Sequence, residues 1–211
     1  MADQVNEPID VFEAMETCRS IRRFRTDPVP DDVLERLVHY ATRAPSAGNT
    51  QLWRFLIVTD PDDRRWFRDM LVEAVSPRLA PPPPDDDMSQ AARNARMYRR
   101  FILEFDRIPA FIITTIRNAF PNAERPVEQF MWSTVFAATQ NLLLAARGLG
   151  LGAAMTTNHL ENEPAVREHF GIPDDVGIGA TIPVGYPEGR YGPVSRGPVS
   201  DVVYRNHWGR T

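Results

Sequence analysis

The chain has 211 residues, 43% of them hydrophobic, with 24 basic against 28 acidic side chains and a net charge of −4. That is enough apolar material for one sizeable core and predicts a single domain over 1–211, while the lack of a basic surplus argues against nucleic acid as a partner. Every basic residue is Arg, which excludes chemistry needing a lysine amine, such as a Schiff base or a P-loop lysine.

In chain order, Met1 to Glu7 is polar and acidic, unlike a signal peptide, and no run reaches the ~20 apolar residues of a membrane span, so a cytoplasmic protein is expected. Ile9, Phe12 and Met15 recur at helical spacing and predict a short helix over 9–18. Arg19-Ser20-Ile21-Arg22 follows it. The end of a helix repels anions, so a phosphate bound here must be held by the arginines themselves. The lone Cys18 can make no internal disulfide, and four scattered histidines without ligand spacing predict no metal site.

Asp31 reads as the N-cap of a second helix running to about Arg43, with Val33, Leu34, Leu37, Val38 and Ala41 on one face. The connector Ala44 to Trp53 then leads into a strand over 53–59. In it, Ser46, Asn49 and Gln51 offer a hydroxyl and two amides to a flat heteroaromatic edge, with Pro45 and Gly48 shaping the backbone. A capped turn, in which Ser46 and Asn49 bond their own backbone, reads the same stretch equally well.

Asp60-Pro61 caps a helix to about Val75, with Trp66, Met70 and Val75 inward and Arg64, Arg65 and Arg68 as a solvated face. Pro81–Pro84 and Asp85–Asp87 make 76–88 a mobile surface loop, either a lid or a tolerated insertion. A helix over 89–106 aligns Ala91, Ala95, Tyr98, Ile102 and Phe105, and Ala110 to Ile116 is a buried strand.

Glu124 to Arg147 is apolar around most of its circumference, as a central core helix or a dimer helix would be, with Gly148 as its C-cap. Gly148 to Ala153 fits G-x-G-x-x-A, but a helix precedes it and a strand over 151–156 follows. That order is the reverse of a dinucleotide fingerprint, which is therefore rejected. Asn162 caps a short helix over 163–170, a last strand spans 177–185, and 186–211 is an irregular but aromatic arm that must pack on its own domain or on a partner.

Arg19-Ser20-Ile21-Arg22 followed by Pro45-Ser46-Ala47-Gly48-Asn49-Thr50-Gln51-Leu52-Trp53 resembles the paired motifs of the nitroreductase family of FMN-dependent oxidoreductases. Thr156 to Leu160, Ile182 to Pro187 and Arg196 to Val199 are similar to later landmarks of that family. The resemblance implies an α+β fold, a mostly antiparallel sheet flanked by helices, built as an intertwined homodimer with FMN at the subunit interface. It implies Arg196 and Arg19 at the FMN phosphate, and Arg22 with Ser20 at the flavin edge that becomes anionic on reduction. It also implies Pro45, Ser46, Ala47 and Asn49 reaching the flavin from the second subunit, and Met155, Thr156, Thr157 and Asn158 as the loop whose backbone meets the flavin N5.

The activity it implies is ping-pong hydride transfer from NADH or NADPH to an electron-poor small-molecule acceptor, a nitroaromatic or a quinone. Flavin sequestration without turnover and reductive dehalogenation are the alternatives. Two departures stand out: Cys18 where the family often has Arg, and Leu52 where it has Pro.

Overall fold

The computed structural model describes residues 9–210, so the expectation drawn from Met1 to Glu7 lies outside the described residues. Six helices and four strands follow one another as α1 (Val11–Thr17), α2 (Asp31–Ala41), β1 (Trp53–Val58), α3 (Pro61–Val75), α4 (Gln90–Leu103), β2 (Ala110–Arg117), α5 (Glu128–Gly148), β3 (Gly152–Ala153), α6 (Glu163–Phe170) and β4 (Val176–Gly185). The strands form one sheet in the order β1-β2-β4-β3, and every pairing is antiparallel.

Side chains alternate across the pleat, and β2 shows what each face meets. Ile112, with Ala180, Ile182 and Val184 of β4, packs under Leu34 and Leu37 of α2 and Ala138, Leu142 and Ala146 of α5. Phe111 and Ile113 point the other way, into Phe67 and Leu71 of α3 and Phe101, Ile102 and Phe105 at the end of α4. Helices therefore cover both faces of the central strands, which is why β2 is a continuous apolar run rather than an alternating one.

The predicted elements are all present, with several local corrections. Asp31 is the first helical residue of α2 and caps nothing with its side chain; Pro30 stands at the cap, its missing N–H costing no bond there. Gly148 is the last helical residue of α5, and the left-handed turn falls at Gly150 (φ 75°). Arg64 is not on a solvated face: its guanidinium donates to the carbonyls of Asp106 (2.7 Å), Ile108 (2.8 Å) and Thr59 (3.2 Å), latching α3 to the start of β2.

The inward face of α4 is Ala92, Phe101 and Ile102, whereas Ala91, Ala95 and Tyr98 are exposed, because the packing is set by the aromatic cluster at its C-terminal end. On α1 only Ala14 is buried, and Val11, Phe12 and Met15 are open to solvent in the single chain.

Between Leu79 and Met88 there is no helix or strand. Arg96 of α4 nevertheless donates to the carbonyls of Pro84 (2.9 Å) and Asp87 (2.6 Å), tying this loop to the helix that follows it.

Candidate functional site

The Arg19 motif continues from α1 as an extended segment. Ile21 N–H donates to Ala153 O (3.0 Å), and further on the chain pairs with the end of β4 through Arg25 N–H to Tyr186 O (2.8 Å) and Glu188 N–H to Arg23 O (3.1 Å). The approach is so close that a Cβ on Gly152 would stand 2.7 Å from Ile21 Cγ2. Glycine at 152 is thus what lets the motif lie against β3.

The loop after β3 is held to the sheet at Thr156, whose N–H and Oγ1 both donate to Thr181 O, at 3.1 and 2.7 Å. Its N–H being committed to the sheet, the backbone donors for a ligand fall to Met155, Thr157 and Asn158. Met155 and Thr157 face solvent. The C-terminal arm joins the same corner, with Val194 N–H donating to Glu16 O (2.9 Å) two residues before Arg196.

Arg19, Ser20 and Arg22 therefore run beside β3 at the corner where α1 meets the C-terminal end of α5, Arg196 lies on the arm bonded to α1, and Met155 to Asn158 lead from that corner along β4. Among the described residues the guanidinium groups of Arg19 and Arg22 have no hydrogen bond or ion pair to the protein, and Arg196 donates only to its neighbour Ser195 O (2.8 Å). Free arginine forks on two segments, the Arg19 stretch and the arm, are groups that could hold a phosphate or an anionic ring edge.

The side-chain Nδ2 of Asn158 is buried without a partner, a second polar group at this corner with unmet bonding capacity. Arg22 also lines a cavity of about 300 Å³ with Arg23, Arg25, Arg100 and Arg107. Glu104, Glu188 and Asp27 offset three of these five charges.

The second predicted group lies elsewhere. Ala47 N–H donates to Thr134 Oγ1 (3.1 Å), placing Pro45, Ser46, Ala47 and Asn49 beside the first turns of α5. Thr134 and Arg147 are separated by 13 residues of helix, roughly 20 Å at the rise of an α-helix. One chain thus puts the connector and the Arg19 corner at opposite ends of α5.

Gly48, Asn49 and Gln51 all adopt positive φ (56°, 53° and 50°), a strained run that Ser46 Oγ helps hold by accepting from Gln51 N–H (3.2 Å). The side chain of Gln51 donates to Asn49 Oδ1 (3.2 Å), so the capped-turn reading holds for Ser46, which bonds the backbone, but not for Asn49, whose side chain meets another side chain.

Three features of this region escaped the sequence reading. Arg147 is buried at the last turn of α5, where a charge on an otherwise apolar helix was the available signal. His159 is buried behind the Met155–Asn158 loop, 3.4 Å from Thr181 Oγ1, and desolvation pushes its pKa below the ordinary value. Cys18 is half-buried with Sγ 3.7 Å from Leu143 O, and its pKa is raised by burial, so it packs against α5 instead of presenting a thiolate.

No group of three or more His, Cys, Asp or Glu able to hold a metal occurs among the described residues, and no helix there is long and apolar enough to cross a membrane.

A family model described as Nitroreductase family matches residues 16–186. The chain is 30% identical over 202 residues to an NADH dehydrogenase of Thermus thermophilus, covering 88% of this chain and 90% of that protein. It is 26% identical over 189 residues to iodotyrosine deiodinase 1 of Rattus norvegicus, covering 84% of this chain but 62% of the relative's length. A crystal structure from Parabacteroides distasonis, named for an NADH dehydrogenase/NAD(P)H nitroreductase, superposes with a TM-score of 0.67 at 26% identity over 94% of this chain and 98% of that one. An iodotyrosine deiodinase bound to FMN and 3-iodo-L-tyrosine shares the fold, with a TM-score of 0.71 at 21% identity over 94% and 99% of the two chains.

Proposed function

This chain belongs to the nitroreductase family, and from that premise we propose that it is an FMN-dependent oxidoreductase passing hydride from NADH or NADPH to an electron-poor small molecule, such as a nitroaromatic or a quinone, in ping-pong order. The observation that carries the reading is that Arg19 and Arg22, on a segment bonded to β3 just ahead of the Met155–Asn158 loop, leave their guanidinium groups uncommitted to the protein among the described residues.

FMN, when bound, supplies the hydride chemistry; the chain supplies binding, orientation and exclusion of water. Arg19 and Arg196 hold the phosphate in this proposal, and Ser20 lies with Arg22 at the ring edge. Arg22 provides the cation that favours the reduced ring, and Met155, Thr157 or Asn158 gives the backbone donor. The surplus of two positive charges in the cavity beside Arg22 suits the pyrophosphate of a nicotinamide donor.

The same proposal makes the protein a homodimer, in which Pro45, Ser46, Ala47 and Asn49 complete the site of the other subunit. The separation along α5 supports it. So do the exposed apolar groups Val11, Phe12 and Met15 of α1, Phe130 and Phe136 of α5, and Val199, Val202 and Trp208 of the C-terminal arm. A cytoplasmic location accords with a nicotinamide donor.

The test is the visible spectrum of protein loaded with FMN and desalted. Flavin bands bleached by NADH or NADPH without oxygen, and restored by a quinone, are expected; retained flavin that neither nucleotide reduces would refute the reductase and leave sequestration. The likeness to deiodinases favours reductive dehalogenation as a second reading. Iodide release from 3-iodo-L-tyrosine under a chemical reductant, at a rate exceeding quinone reduction, would favour it.

A further inference from the structure

Arginine is seldom buried unless its donors are satisfied, because an unpaired guanidinium away from water costs several kcal/mol. Arg147, 9% exposed at the end of α5, meets that requirement through two separate stretches of chain, α1 and the C-terminal arm. Its Nε donates to Thr17 Oγ1 (2.7 Å), and its Nη2 donates to Glu13 Oε1 (3.2 Å), both on α1. The guanidinium lies over the ring of Tyr191, 4.2 Å from the centroid, and the Tyr191 hydroxyl donates in turn to Leu151 O. Thr17 is itself oriented by donating to Glu13 O (2.6 Å).

Each of these contacts ends a few residues short of a proposed flavin contact. Thr17 precedes Arg19 by two positions, Tyr191 precedes Arg196 by five, and Leu151 opens the stretch that leads through β3 to Met155. We propose that Arg147 is a positioning residue: it binds no ligand itself, but clamps α1 and the arm on the end of α5 so that Arg19 and Arg196 converge on one phosphate.

The proposal rests on the flavin reading of this corner. Its physical content is preorganisation. Arg19 and Arg196 are exposed, on segments without regular structure, and two such cations repel each other, so the backbone beneath them must hold them together before the phosphate arrives. A single cationic group bonded to α1 and stacked on the arm fixes both at once. Clamping at this point acts on the phosphate end of the cofactor and not on the ring end, which is governed by the loop after β3.

The test compares FMN with riboflavin, which has the same ring and ribityl chain and lacks the phosphate. Affinities of both are measured by flavin fluorescence quenching in wild type, Arg147→Met and Arg147→Lys. Expected is a loss of about tenfold or more in FMN affinity for Arg147→Met, with riboflavin changed by less than about twofold, and partial recovery in Arg147→Lys.

Should Arg147→Met not fold, Thr17→Val removes the acceptor of one guanidinium bond at a half-buried position, and about a threefold loss confined to FMN is expected. Equal losses for the two flavins, or no loss for FMN, overturn the clamp while leaving the flavin reading intact. A wild-type protein that takes up neither flavin overturns both.

Discussion

Gly48→Ala tests the geometry of the connector most directly. Gly48 has φ 56° and ψ 19°, and a Cβ there would stand 2.5 Å from Phe120 Cε2 and 3.1 Å from its Cζ. The left-handed backbone costs an alanine about 1–2 kcal/mol relative to glycine. The clash adds to this, because the Phe120 ring is packed edge-on against Phe130, with centroids 5.2 Å apart at 87°, and must leave that contact to make room.

Overpacking of this kind costs ~1–3 kcal/mol; since Phe120 is only half-buried, the lower part of that range applies. The sum is about 2–4 kcal/mol, or a fall in melting temperature of roughly 5–15 °C for a chain of this length. Gly148→Ala is the control, because nothing lies within 4 Å of its Cβ position and its φ is not in the left-handed region; it should lose nothing. Thermal unfolding followed by circular dichroism compares the two. A melting temperature for Gly48→Ala within about 2 °C of wild type would refute the argument that the loop is held in a conformation only glycine tolerates.

Arg64→Met removes three bonds to backbone carbonyls and strands those of Asp106 and Ile108, so urea titration should show a loss of about 2–4 kcal/mol, against nearly none for a truly solvated arginine such as Arg65. His159 has its folded pKa lowered below 6.5, so the unfolded state takes up the proton first. Stability is then complete above that value and declines as pH falls through the folded pKa. His159→Gln should flatten the decline below about pH 6.5, and an unchanged acid slope would remove His159 as its source.

Arg196→Ala should weaken FMN retention about tenfold, while Arg93→Ala, whose side chain bonds Met88 O and Gln90 on the far surface, should not; equal flavin content after desalting contradicts the phosphate assignment. Light scattering at micromolar concentration should give a dimer, and a monomer would undercut the shared site.

The order of helices and strands was legible from period and punctuation, and the α+β architecture from the family resemblance. Asp60-Pro61 starts α3 with a side chain that does cap it, accepting from Asp62 N–H at 2.8 Å, and Asn162 caps α6 in the same way. The inverted order of helix, Gly148–Ala153 and strand is also what the fold contains, because a strand signal and a helix signal are local and survive packing. Residue types left the connector open between a ligand loop and a capped turn, and it was the paired-motif resemblance that named it and the Arg19 motif as site candidates.

Their placement could not be read in that way. Which arginine is solvated depends on what the rest of the chain brings opposite it: Arg64 meets two carbonyls from the start of β2, and Arg147 meets α1 and the arm, while Arg19 and Arg22 meet none. Of these four only Arg147, following an apolar helical run, carries a local signal of its burial. Likewise the 20 Å of α5 between the connector and the Arg19 corner exists only once the helix is packed against both. Sequence therefore determined the elements and the chemical kinds of groups available, because those follow from backbone propensity and local hydrogen bonding. Tertiary structure alone decided which charges were consumed in holding the fold and which were left to meet a ligand.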